Sequence, residues 1–233
     1  LCMANTRTSR EREYTVRPAA RPQRVVVVGA GPAGLESARV AALRGHSVTV
    51  LERGAEPGGQ LLLSRQVPGR GDLAALVAYL AAAVARAGGE IRLGVEASLD
   101  VIRREEPDVV IVATGARPGI PPIPGILDSP AVDLFQVLRR PPPPARRALV
   151  IGGGMLGVGV AHALAARDID VYVVEAGGEL SGELGVRPRW QYVADLRGRA
   201  NVTVHLGTTV EALWTDGAML RSAGRAVELG GLD

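Results

Sequence analysis

Two glycine fingerprints constrain this chain more than any other feature. The first reads Val25-Val26-Val27-Val28-Gly29-Ala30-Gly31-Pro32-Ala33-Gly34, and the second Ala148-Leu149-Val150-Ile151-Gly152-Gly153-Gly154-Met155-Leu156-Gly157. They lie 123 residues apart, Gly29 to Gly152. Each is an apolar run entering Gly-x-Gly-x-x-Gly, and each leads into a helix-like run, residues 35–44 and 155–167. Gly45 follows the first, where a helix end favours positive φ. A second apolar run comes next in both, residues 47–51 closed by Glu52 and residues 170–174 closed by Glu175. Each glutamate lies 23 residues after its first glycine, close to the spacing of a carboxylate that takes a ribose hydroxyl.

Strand, glycine turn, helix and acidic strand end form a dinucleotide-binding pattern, and the context counts for more than the glycines alone. Gly29 and Gly152 permit a tight turn, Gly31 and Gly154 admit a pyrophosphate, and Gly34 and Gly157 let the helix lie close to the strand. Ala38 and Ala161 extend that contact. Pro32, Ala33, Met155 and Leu156 fill the variable positions, where free N–H groups and the positive helix end meet the phosphates. Two such sites in one chain point to electron transfer between two cofactors.

Composition narrows the class. The 233 residues suit one large or two small domains. No apolar run reaches membrane-spanning length, and the start lacks a signal-peptide pattern. Cys2 is the one cysteine, so a CxxC redox pair and a disulfide framework are excluded from this chain and a reducing cytoplasm fits. The pI of 9.6 does not mark a nucleic-acid binder. Residues 1–24 carry six Arg against two Glu, whereas the whole chain is +3; the excess lies in a tail.

Along the chain, residues 1–23 read as an irregular arm and 24–125 as a first nucleotide domain. Residues 126–146 read as a Pro-rich linker ending in Pro141–Pro144, and 147–233 as a second nucleotide domain. Within the first, residues 53–71 form a long loop, Asp72 caps a helix to residue 87, 90–93 form a strand, and 108–112 form a fully buried one. A short helix over 133–139 precedes the proline run. The second continues with a helix over 190–197 and strands over 202–206 and 208–214. A hairpin turn at Asp216-Gly217 and two short strands follow. The fold class is α/β, with two Rossmann-like three-layer dinucleotide-binding domains and mostly parallel sheets.

The run Val25–Gly34, Glu52, Pro57-Gly58-Gly59-Gln60-Leu61, Pro68-Gly69-Arg70 and Ala113-Thr114-Gly115 resembles part of the NADH:flavin oxidoreductase family. That family includes 2,4-dienoyl-CoA reductase and trimethylamine dehydrogenase. The resemblance implies an FAD-binding domain with the NAD(P)-binding domain inserted into it. An FMN-bearing TIM barrel would stand in the same or a partner chain, with a 4Fe–4S cluster between them. It implies that the FAD-completing C-terminal segment is absent here, and that the chain is a fragment not active alone. Cys2 resembles the third cluster cysteine. The fourth falls at Tyr14 of Tyr14-Thr15-Val16-Arg17-Pro18, and tyrosine is a poor cluster ligand.

The resemblance further implies FAD at the first fingerprint, with Arg53 flanking the adenine, Gly59 and Gln60 near the flavin side, and Thr114 and Gly115 strapping the diphosphate. The second fingerprint then takes NAD(P)H. Glu175 favours NADH, because a carboxylate accepts from a 2′-OH and repels a 2′-phosphate; Arg187 and Arg189 are the residues that could reverse that preference. The activity expected is hydride transfer from NAD(P)H to FAD and on to an FMN domain, without a catalytic acid or base from this chain. His46, His162 and His205 are scattered, and His162 reads as packing. The competing reading is an adenine-nucleotide site that binds without turnover. A homo-oligomer is compatible with either.

Overall fold

The computed structural model describes residues 5–139, 145–183 and 185–233. Cys2 and the Pro141–Pro144 run lie outside them. The chain divides into two compact units, one of residues up to Arg65 with Arg70–Arg117, the other of Gln66–Gly69 with Pro118–Asp233. Residues 118–125, read from sequence as part of the first domain, fall in the second unit, as do residues 126–139 and 145–146.

The first unit is built on β1 (Arg24–Val28), β2 (Ser47–Glu52), β3 (Glu90–Leu93) and β4 (Val109–Val112), in the order β3-β2-β1-β4. Every pairing is parallel. β1 is flanked on both sides, and its Val25, Val26 and Val27 are buried. Helix α1 (Pro32–Leu43) crosses from β1 to β2. Pro32 sits in its first turn, where the missing N–H costs nothing. Gly45 beyond its end has φ +89. Helix α2 (Asp72–Arg86) packs on α1. The core joins Val25, Val27, Leu35, Ala38, Val48, Val50, Val77, Leu80 and Val84, each Val or Leu stabilising by about 1.5–3 kcal/mol.

Four details differ from the sequence reading. Gly71, not Asp72, caps α2; Asp72 makes no capping hydrogen bond and acts through its charge in the first turn. The 53–71 loop contains a 3-10 run, Gly59–Gln66. A helix unread in the sequence, α3 (Leu99–Arg104), is capped by Ser98 Oγ accepting from Val101 N. Finally, β4 is not buried: Val112 is 73% exposed and Val109 and Val110 about 40%. Among the described residues it is an edge strand paired with β1 alone, so its apolar sides are not covered as a central strand's would be.

In the second unit, Asp133 Oδ1 accepts from Phe135 N and Gln136 N, starting α4 (Leu134–Arg139). Strands β5 (Arg147–Ile151), β6 (Asp170–Val174) and β7 (Val202–His205) form a parallel sheet in that order. Helix α5 (Met155–Ala165) links β5 to β6, and α6 (Val186–Arg197) links β6 to β7. An antiparallel meander follows, β8 (Thr208–Trp214), β9 (Gly217–Ser222) and β10 (Arg225–Gly230). Ala218 and Leu220 of the meander pack on Val174. Every residue from Val158 to Ala165 is buried, the pattern of a helix covered all round.

Candidate functional site

Both fingerprints fold into the same strand–turn–helix. Gly29 has φ +103 and Gly152 φ +97, a region side chains avoid. Their N–H groups donate to Leu51 O and Val174 O, tying each turn to the neighbouring strand. A Cβ on Gly34 would lie 1.9 Å from Gly29 O, and one on Gly157 1.9 Å from Gly152 O. Neither position tolerates a side chain, so each helix starts hard against its own turn.

The middle glycines are different. Gly31 has φ −70 and ψ 176, and Gly154 has φ −66 and ψ 178, a conformation open to any residue. A Cβ on Gly31 would meet nothing within 4 Å. The fold therefore does not require glycine there. The bare backbone faces open space at the N-terminus of α1, where first-turn N–H groups have no intrahelical acceptor and the dipole favours an anion. No side chain caps α1.

The two glutamates have an internal task. Glu52 accepts from Ala30 N at 2.8 Å and Gly54 N at 2.7 Å. Glu175 accepts from Gly153 N and Gly177 N, both at 2.6 Å. Each carboxylate braces its own glycine turn. A carboxylate has about four acceptor positions, so ribose hydroxyls can still be accommodated.

Around the first turn the remaining predicted residues converge. Gly58 N donates to Ala30 O at 2.8 Å. A Cβ on Gly59 would sit 3.4 Å from Gly31 Cα. The Gln60 amide donates to Ala116 O and lies 3.5 Å from a Cβ placed on Gly115. Thr114 Cα is 3.4 Å from a Cβ on Gly29. Gly29, Gly31, Gly34, Glu52, Gly59, Gln60, Thr114 and Gly115 thus surround one turn. Arg53 is exposed nearby in sequence, with no contact that fixes a role. A groove of about 800 Å³ on this unit is lined by arm residues such as Tyr14 and Arg17 and by Arg44 and His46; it contains none of the predicted site residues.

Around the second turn, a cavity of about 590 Å³ is lined by Gly152, Gly154, Met155, Leu156, Glu183 and Trp214, among others. Glu183 was not foreseen from sequence. Its Oε1 accepts from Met155 N at the start of α5 and would lie 3.0 Å from a Cβ on Gly154. Gly153 is also more constrained than a variable position should be: its Cβ would lie 2.4 Å from Leu180 Cδ2. Of the two arginines that could receive a 2′-phosphate, Arg189 pairs with Glu179 at 2.7 Å; the side chain of Arg187 lies outside the description. His162 is buried against Tyr192, with Nε2 2.9 Å from Tyr192 O and rings stacked at 4.8 Å, as packing requires.

Each unit's first strand is also anchored by an aspartate. Asp108 Oδ2 accepts from Arg24 N at 2.8 Å. Asp233 Oδ2 accepts from Arg146 N and Arg147 N at 2.7 and 2.9 Å, and these backbone bonds hold its carboxyl below the usual aspartate range.

The described residues do not fit an iron–sulfur cluster. Tyr14, which the resemblance sets at the fourth ligand position, is half exposed, with its hydroxyl accepting from Arg10 Nη1 at 3.0 Å. Cys2, the remaining candidate, lies outside the description. No helix among the described residues is long and apolar enough to cross a membrane.

Comparison with known proteins places this geometry. Residues 23–231 match the family model for pyridine nucleotide-disulphide oxidoreductases. The chain is 32% identical to the metal reductase of Desulforamulus reducens, over 96% of its own length and 38% of that protein's. It is 37% identical to the NADH oxidase of Thermoanaerobacter brockii, over 75% and 28%. It is 40% identical to a multifunctional alkene reductase/demethylase of Caballeronia cordobensis, over 72% and 25%. The solved structure of 2-naphthoyl-CoA reductase with 2-naphthoyl-CoA superposes with a TM-score of 0.89 at 31% identity, over 99% of this chain and 35% of that one. The chain thus spans roughly a quarter to two fifths of these relatives' lengths. It belongs to the pyridine nucleotide-disulphide oxidoreductase family, and its parallel sheets have the Rossmann-like form of that family.

Proposed function

We propose that the first turn holds the ADP half of FAD and the second holds NADH. Bound together, the two cofactors supply hydride transfer from nicotinamide to flavin. The observation that carries this reading is the pair of middle glycines. Gly29 and Gly34 are demanded by the backbone, whereas Gly31 is not, and a bare position at a helix N-terminus suits a pyrophosphate.

The chain's residues bind and orient. The first-turn N–H groups of α1 and α5 take the phosphates. Glu52 and Glu175 brace the turns and offer remaining acceptor positions to the adenosine riboses. Gly59, Gln60, Thr114 and Gly115 line the approach to the first turn. NADH is favoured over NADPH because Glu175 places a carboxyl group at the ribose position and Arg189 is engaged by Glu179. Electrons then pass to an FMN-bearing domain of the same or a partner chain. The support is that the relatives extend well beyond the matched region.

The test is to purify the protein with its natural flanks, add FAD, and titrate NADH without oxygen while following the flavin absorbance. Bleaching is expected. Bound flavin that NADH and NADPH both leave unchanged would reject hydride transfer and leave a site that holds nucleotide without turnover.

A further inference from the structure

We infer that Glu183 is a built-in competitor for the dinucleotide pyrophosphate, capping α5 while the second site is empty and leaving when the ligand arrives. The inference rests on reading the second turn as a pyridine nucleotide site. Its ground is a comparison within the chain. Gly31 faces open space, but at the matching Gly154 a carboxylate oxygen stands 3.0 Å from where a Cβ would be and accepts from Met155 N. A carboxylate is a fair substitute for one phosphate at a helix N-terminus, since it accepts the same N–H groups and answers the same dipole. It cannot share that position with a pyrophosphate, because the two anions would meet at contact distance.

The surrounding loop is built to keep Glu183 close without fixing it. Gly177 N is held by Glu175, and Gly207 N donates to Gly177 O. Leu180 is 2% exposed against Gly153, and Ser181 N donates to Gly153 O at 2.7 Å. Ser181 takes φ +50, which costs a non-glycine residue free energy. Its hydroxyl is buried with no hydrogen-bond partner among the described residues. Beyond this anchor, Gly182 and Glu183 are exposed. The side chain can swing off Met155 N while Leu180 and Ser181 remain in place.

The experiment measures dissociation constants of NADH, ADP-ribose, AMP and adenosine for the purified, FAD-loaded protein and for Glu183→Gln and Glu183→Ala. Glu228→Gln, an exposed acid of the same unit, controls for net charge. Both Glu183 variants should bind NADH and ADP-ribose roughly 2- to 5-fold more tightly, the range of an anion at a helix N-terminus. AMP should gain less, adenosine nothing, and flavin content should not change. Equal or weaker NADH binding in both variants, with the wild type still binding, overturns the role of Glu183 and leaves the site assignment intact. If neither wild type nor variants bind NADH or ADP-ribose, the assignment of the second turn falls, and the inference with it.

Discussion

The two glycine turns share a backbone and differ in what stands in front of it. Gly29 and Gly152 match in conformation, Gly34 and Gly157 in clash distance, and Glu52 and Glu175 in hydrogen bonding, although a Cβ on Gly29 would also meet Ala113 O at 2.4 Å and one on Gly152 would meet nothing within 4 Å. The difference lies in the segment after the acidic strand end. In the first unit it runs through Gly58 and Gly59 and leaves the space at Gly31 open. In the second it returns through Leu180 and Ser181 and sets Glu183 on α5. The motif therefore specifies a turn that can receive a pyrophosphate; whether the turn stands open is decided by a loop the motif does not include.

The largest effects should come from the glycines at the helix start. Gly34→Ala and Gly157→Ala each put a methyl within 1.9 Å of a carbonyl oxygen, and overpacking of this kind costs about 1–3 kcal/mol. The comparison is sharpened by what is lost. Gly34→Ala should purify with little FAD. Gly157→Ala should keep FAD and lose its reduction by NADH. Equal flavin content in the two variants would break the assignment of the first turn to FAD.

Next in size are the middle glycines. Gly31→Ala meets no protein atom, so the thermal midpoint of the ligand-free protein should hardly move. FAD affinity should fall about tenfold, roughly 1.4 kcal/mol, because the methyl enters space left for phosphate. Gly154→Ala meets the far end of the Glu183 side chain and should displace it. FAD binding unaffected by Gly31→Ala would remove the observation on which the proposed function rests.

Much of this was legible in sequence. The alternation of apolar runs, glycine turns and helical stretches identified β1, α1, β2, β5, α5 and β6, because backbone and packing demands fall on the same residues there. The burial of β4 was misjudged for a physical reason. A run such as Val109–Val112 says that a strand is apolar on both sides, not that neighbours cover both sides. Helix α3 was missed because its cap, Ser98, was not read as a helix start. Glu183 was missed because its partner, Met155, lies on another element and no spacing rule links them; the acidic residues within Gly177–Glu183 were the sole hint. The bracing of the turns by Glu52 and Glu175 was also hidden, since sequence spacing places an acid at a strand end but does not show which N–H groups it accepts.

The observed bracing and the proposed ribose contact together give a smaller prediction. Glu175→Ala should weaken NADH binding and narrow the NADH/NADPH preference, about fivefold, near 1 kcal/mol. It should also lower the thermal midpoint, since Gly153 N and Gly177 N lose their acceptor. Glu52→Ala should show the same destabilisation but act on FAD retention. If Glu175→Ala lowers the midpoint and leaves the NADH/NADPH ratio unchanged, the carboxylate only braces the turn.

The smallest effect concerns the aspartate anchor of the second unit. Asp233 is exposed, and the N–H groups of Arg146 and Arg147 hold its pKa below the ordinary 3.8. A carboxyl with a depressed folded-state pKa stabilises the fold fully above its unfolded value, and that contribution is lost as pH falls through the folded-state value. Its pH dependence therefore lies below about 3.8, and solvent screening keeps it small. Asp233→Asn should lower the midpoint slightly at neutral pH and flatten the acid limb of the stability curve, measured by urea unfolding at stepped pH. The two curves should converge at the acid end, where the wild-type carboxyl is also neutral. A constant gap between them at every pH would assign the contribution to the shape of the side chain rather than its charge. The anchoring of β5 would then be steric, and its likeness to the Asp108 anchor of β1 would lie in position alone.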